Sequence, residues 1–109
     1  MQIPFFPFQV IDWTVIDEEI HKGDSGTATW QIVHLRNIRV RRLRYSPGYE
    51  ADHWCKKGHV LHCVEGEMNT ELQDGRLIKL SAGMTYIVGD DTEPHRSSSD
   101  NGCLLFVVD

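Results

Sequence analysis

The sequence has no long apolar run, no regular cysteine spacing and no excess of positive charge. No window approaches the roughly 18 apolar residues of a membrane span. The opening "MQIPFFPFQVIDW" has neither a basic start nor a small-residue cleavage site, so the expectation is a cytoplasmic protein with no membrane partner. Eleven Lys and Arg against 16 Asp and Glu give a net charge of -5. That balance discourages the phosphate neutralisation on which nucleic-acid binding depends. Three cysteines, Cys55, Cys63 and Cys103, are an odd number and poor material for a disulfide framework. Cys63 and Cys103 lie in the apolar runs "HVLHCVEG" and "NGCLLFVVD" and read as small buried hydrophobes, which leaves Cys55 as the functional candidate. There is no G-x-S-x-G nucleophile elbow and no glycine-rich phosphate cradle. A Cys-His nucleophile pair through Cys55 with His53 or His59 remains open, but no helix N-terminus is in view to activate it.

Helical periodicity is also missing, apart from a short turn around "TVIDEEI". What the chain does have is a succession of five- to eight-residue runs such as "ATWQIV", "IRVRRLRY", "HVLHCVE", "RLIKLS", "MTYIVG" and "CLLFVVD". Glycine-containing turns separate them, and this pattern predicts an all-β sandwich or small barrel. With 109 residues, one core and one domain over 1–109 are expected. "LQDGRLIKL" predicts a tight hairpin in which Asp74 and Gly75 both take positive dihedrals. The arginines of "RNIRVRRLRY" fit a solvated or interface strand with one charged face better than a basic helix. At the N-terminus, Pro4 and Pro7 break an apolar segment. Residues 1–12 are therefore expected to pack across a barrel mouth or to exchange with a partner chain in a homodimer.

The densest ligand chemistry lies in "DHWCKKGH", Asp52 to His59. On a regular strand His53 and Cys55 share a face, with Asp52 and Trp54 on the other. A turn through "KKG" would return the chain with His59 on the face of Leu61 and Cys63 and leave His62 opposite. His21, His34 and His62 read as surface or hydrogen-bonded residues. The competing account of the whole stretch is a polar loop whose donors are satisfied within the protein.

The pattern resembles the cupins, small double-stranded β-helix or jelly-roll barrels that hold a metal ion. Gly48, His53, Cys55, His59 and Gly66 follow the spacing of that family's first motif, with Cys55 in place of its second histidine and His59 in place of its glutamate. Gly83, the loop from Gly89 and His95 are similar to its second motif, with a loop one residue longer. More closely, "ADHWCKKGH", "DGR", "PHRS" and "LFVVD" resemble the DHCW-motif cupins. The resemblance implies a cupin barrel with a divalent metal on His53, Cys55, His59 and His95. Three imidazoles and a thiolate favour zinc, with iron or nickel as alternatives. Tyr86 and Arg96 are candidates for the substrate pocket, with Arg96 either an anion anchor or half of a surface salt bridge. Two functions are carried forward: a metal-dependent enzyme acting on a small molecule, and a non-catalytic binding or sensing module whose closed metal site braces the barrel. A homodimer is implied by resemblance to small cupins.

Overall fold

The computed structural model describes residues 2–109; Met1, part of the expected N-terminal packing segment, lies outside them. Nine strands follow a single 3-10 turn at Trp13–Val15: β1 (Glu19–Lys22), β2 (Thr27–Leu35), β3 (Ile38–Tyr45), β4 (Tyr49–Glu50), β5 (His59–Leu72), β6 (Leu77–Ser81), β7 (Thr85–Val88), β8 (His95–Ser99) and β9 (Cys103–Val108). All pairings between the strands are antiparallel. β1, β2, β3, β9, the first half of β5 and β7 form one sheet; β4, β8, the second half of β5 and β6 form the other. The all-β barrel expected from the strand and turn pattern is thus the observed architecture.

The 14-residue β5 belongs to both sheets, and its corner shows how. Along β9 its register slips between Cys63 and Glu65, so Val64 is the extra residue of a bulge. Gly66 then takes φ 73°, and a Cβ there would sit 2.3 Å from the Gly102 carbonyl oxygen. Only glycine fits both the dihedral and the gap. The bend turns β5 from one sheet into the other and keeps His59, Leu61, Cys63, Met68 and Thr70 facing inward.

Between the sheets lie Ala28, Leu43, Tyr45, Leu61, Cys63, Met68, Leu80, Cys103, Leu105 and Val107. All three cysteines are free, and Cys63 and Cys103 are buried as expected. Burial pushes the Cys103 thiol up to about 11, so it stays protonated and packs as an apolar group. The hairpin at residues 72–77 differs from its expected form: only Gly75 has positive φ. The Gly75 amide donates to the Leu72 carbonyl, and Asp74 accepts from the Arg76 amide instead of adopting a left-handed conformation. This is a longer turn closed by a glycine, and the aspartate serves through its side chain.

β3 departs from a solvated strand with one charged face. Arg41 alternates with Leu43 and Tyr45 on the inward side and is 6% exposed. Its partner is Asp109, which continues the inward row of Leu105 and Val107 and whose side chain is 0% exposed. Asp109 Oδ1 accepts from Arg39 Nε at 2.8 Å; Oδ2 accepts from Arg39 Nη2 at 3.0 Å and from Arg41 Nη2 at 2.8 Å. Burial alone would raise the Asp109 pKa, but hydrogen bonding from His59 and Arg39 and the charge of Arg41 outweigh it and hold the carboxyl well below its ordinary value.

Two outcomes follow from this architecture. Gly66→Ala should lower stability by more than about 1 kcal/mol in urea titration. Gly75→Ala, with the same dihedral penalty but open space around it, should lose less. Asp109→Asn leaves two guanidiniums without a counter-charge and should cost about 3–5 kcal/mol at neutral pH. Because the folded-state pKa of Asp109 is depressed, its contribution is full above the unfolded value of 3.8 and is lost as pH falls below it. The stability gap between wild type and Asp109→Asn should therefore narrow below that pH in denaturation curves.

Candidate metal centre

The first residue of β5 and the first residue of β8 meet inside the barrel. His59 Nε2 and His95 Nε2 are 3.1 Å apart, with His95 only 2% exposed. Cys55 reaches the same point from the stretch before β5. It sits directly opposite His95 in an isolated bridge, its amide donating to the His95 carbonyl at 2.7 Å and its carbonyl accepting from the His95 amide at 3.0 Å. One ligand atom from each of Cys55, His59 and His95 lies within 4.8 Å of the others.

Each imidazole is turned by what holds its far nitrogen. His95 Nδ1 lies 2.9 Å from the Glu93 carbonyl oxygen, which can only accept, so Nδ1 carries the hydrogen and Nε2 presents its lone pair. His59 Nδ1 lies 3.5 Å from Asp109 Oδ2, a carboxylate that favours the same tautomer. The two Nε2 lone pairs then converge at 3.1 Å, with the Tyr86 hydroxyl as a donor to that of His59. Two nitrogens at about 2.0–2.1 Å on one tetrahedral zinc stand about 3.4 Å apart, close to the spacing here. The donor set therefore fits a divalent ion.

Electrostatics within the trio are coupled. Hydrogen bonding with His95 lowers the Cys55 thiol toward thiolate, and the same contact raises His95. His59 moves the other way because burial disfavours its charged form. Tyr86, from β7, places its hydroxyl 2.9 Å from His59 Nε2, and burial raises its pKa, so it remains a proton donor.

A cavity of about 200 Å³ opens beside these groups, walled by Trp30, Leu43, Leu61 and Val107 and also lined by Arg41 and Tyr86. Tyr86, a pocket candidate from the sequence, is among the residues lining this cavity. His53 lines the same cavity but is not brought into the cluster: its side chain is 72% exposed and its Nδ1 lies 2.6 Å from Asp52 Oδ1. The reason is a register slip. β4 pairs Tyr49 with Ser99 and Glu50 with Ser98, and continuing that ladder would set His53 opposite His95. The chain instead bends at Asp52 and His53, and Cys55 takes the position. The regular strand assumed from the sequence does not form there.

Arg96 does not line the cavity. Following His95 on β8, it faces the other way, lies 5.2 Å over the Trp54 ring and reaches Glu71 at 3.3 Å. Trp54 and Asp52 are outside the cavity lining and the ligand cluster, although no regular strand sets their faces. His62 is hydrogen-bonded to Thr85, His21 stacks on Trp30, and His34 is exposed. The residues that sequence reasoning missed are Arg41 and Asp109. Period-two alternation in "RVRRLRY" and "CLLFVVD" was the signal that would have turned both inward.

No protein-family model matches this sequence, and no curated protein matches it significantly. Solved structures do. A predicted oxalate decarboxylase from Thermotoga maritima is 15% identical, covering 92% of this chain and 96% of that one, with a TM-score of 0.78. The polyketide cyclase RemF from Streptomyces resistomycificus is 19% identical over 94% of this chain and 78% of that one, with a TM-score of 0.77. An RmlC-like cupin from Shewanella frigidimarina is 22% identical over 84% and 81% of the two chains, with a TM-score of 0.66. With its two antiparallel sheets sharing β5 and its histidines converging inside the barrel, this chain has the cupin fold.

Proposed function

We propose that the barrel holds one divalent metal ion on Cys55, His59 and His95 and binds or transforms a small molecule beside it. The observation that carries this reading is the convergence of the two Nε2 atoms at 3.1 Å with a thiol at the same point. Two imidazoles and a thiolate favour zinc, with iron or nickel as alternatives. When bound, such an ion supplies Lewis acidity toward an oxygen of the ligand. The chain's own groups do the rest: Tyr86 offers a hydroxyl proton beside His59, and Trp30, Leu43, Leu61 and Val107 keep bulk water from the cavity. The structural neighbours include a predicted oxalate decarboxylase and a polyketide cyclase, so the fold leaves the reaction open.

The second reading is a closed site in a sensing or structural module, completed by His53. What favours it is the position of His53 on the wall of the same cavity. It requires His53 to leave Asp52 and turn inward. Three ligands with a cavity alongside fit an open position better. The likeness of Asp52 to Cys55 to the DHCW-motif cupins and a cytoplasmic location, which suits three free thiols, belong to the same proposal.

A homodimer also belongs to it. Ile3, Phe5, Phe8 and Val10 are exposed, Phe8 by 95%, and Val60, Ile87 and Phe106 add apolar surface on the outer side of β5, β7 and β9. A second copy of this chain is the proposed cover for that surface.

Protein purified without an affinity metal should contain close to one equivalent of metal by elemental analysis. His95→Ala and Cys55→Ser should each weaken zinc binding by more than the roughly 100-fold that an outer-shell change costs. His53→Ala should leave the affinity nearly unchanged if the site is open, whereas a comparable loss in that variant would identify the closed site. Removal of residues 1–9 should reduce the mass by light scattering from twice that of the chain to once, and an unchanged mass would remove the arm from the interface.

A further inference from the structure

The cavity wall beside the ligand trio carries a charge that the metal reading does not use. Arg41 has one guanidinium nitrogen, Nη2, on Asp109 at 2.8 Å, and its Cζ lies 4.7 Å from the Trp30 ring centroid. Its Nε is buried and has no hydrogen-bond partner. An arginine cannot shed its proton to relieve that state, and a buried donor left unmade bears its full desolvation cost. Such a group in the wall of a cavity is a site prepared for an acceptor.

The hydrogen-bond count points the same way. Arg39 and Arg41 share the side-chain carboxylate of Asp109, and Arg39 takes both of its oxygens while Arg41 reaches only one. Only one guanidinium has an edge to spare, which suits a planar carboxylate better than a phosphate group needing several donors.

We infer that Arg41 anchors a carboxylate group of the small molecule that enters this cavity, by the buried Nε of its guanidinium. The ligand class is a small organic acid, since about 200 Å³ holds only a few heavy atoms beyond the carboxylate. The inference rests on the reading of the cavity as a ligand site and is independent of which ion, if any, the trio holds. It also reassigns the role first given to Arg96, whose guanidinium is occupied outside the cavity.

The test uses malonate as probe, with malonamide as a neutral analogue of similar size, on full-length protein stripped of metal and on the same protein loaded with zinc. Malonate should shift the Arg41 Nε–Hε resonance saturably in heteronuclear NMR spectra of both forms, and malonamide should not. Arg41→Lys keeps a cation for Asp109 but loses the fork, and calorimetry should show malonate binding at least about 10-fold weaker. If that variant fails to fold, the resonance in the wild-type protein decides. A resonance unmoved by malonate, or Arg41→Lys binding malonate as tightly as wild type, would overturn the assignment, and zinc-dependent binding with Arg41 silent would make the ion alone the anion site. A protein that takes up no zinc yet still shows the Arg41 shift would sustain this inference while the metal reading fails.

Discussion

Just past β9, Asp109 continues its inward row with its side chain out of contact with solvent, accepting three hydrogen bonds from Arg39 and Arg41 and standing 3.5 Å from His59 Nδ1. Few carboxylates are sealed in this way unless they are paired, because desolvation is offset only by several well-placed donors. Here the pairing joins three strands. The Arg39 side chain clasps Asp109 while the backbones of the same two residues exchange hydrogen bonds, so β3 is tied to the end of β9 twice over. The contact with His59 extends the tie to the start of β5. The same carboxylate faces His59 Nδ1 at 3.5 Å, on the side of the ring away from the barrel interior.

The candidate centre is thus a product of strand ends rather than of loops. His59 opens β5 and His95 opens β8, each buried and each backed by an oxygen at Nδ1. Cys55 gains its position from two backbone hydrogen bonds to His95, which make the thiol as well placed as a strand residue although no strand runs through it. Groups positioned by a sheet need little reorganisation when they take up an ion, and that preorganisation favours tight binding. The polar cluster is set against apolar walls of Leu43, Leu61, Val107 and Trp30, where a weaker dielectric strengthens every charge interaction within it.

Much of this was legible in the sequence, for a physical reason. Strands of alternating pattern bounded by glycine turns report their own faces, and so β5 was read with His59, Leu61 and Cys63 inward and His62 outward. That reading failed where alternation was broken or was not followed. Asp52 and His53 bend out of the ladder, and no local propensity in "ADHWC" announces a two-residue slip. On β3, an arginine reads as solvent-facing until its partner is known, and that partner lies 68 residues away. Long-range pairing of buried charges is a tertiary fact, so Arg41 and Asp109 each looked exposed when considered alone.

The slip before Cys55 has a chemical consequence beyond geometry. A ladder continued from β4 would bring a third imidazole opposite His95 and yield a harder, all-nitrogen set. Displacing His53 to the mouth and drawing Cys55 inward replaces a neutral donor with one that binds as an anion. His95 already favours that anion in the metal-free state, since it lowers the thiol while being raised itself. Arg41 stands beside this set and not apart from it, since its guanidinium and His59 meet the same oxygen of Asp109, so soft donors and a cation line one cavity side by side.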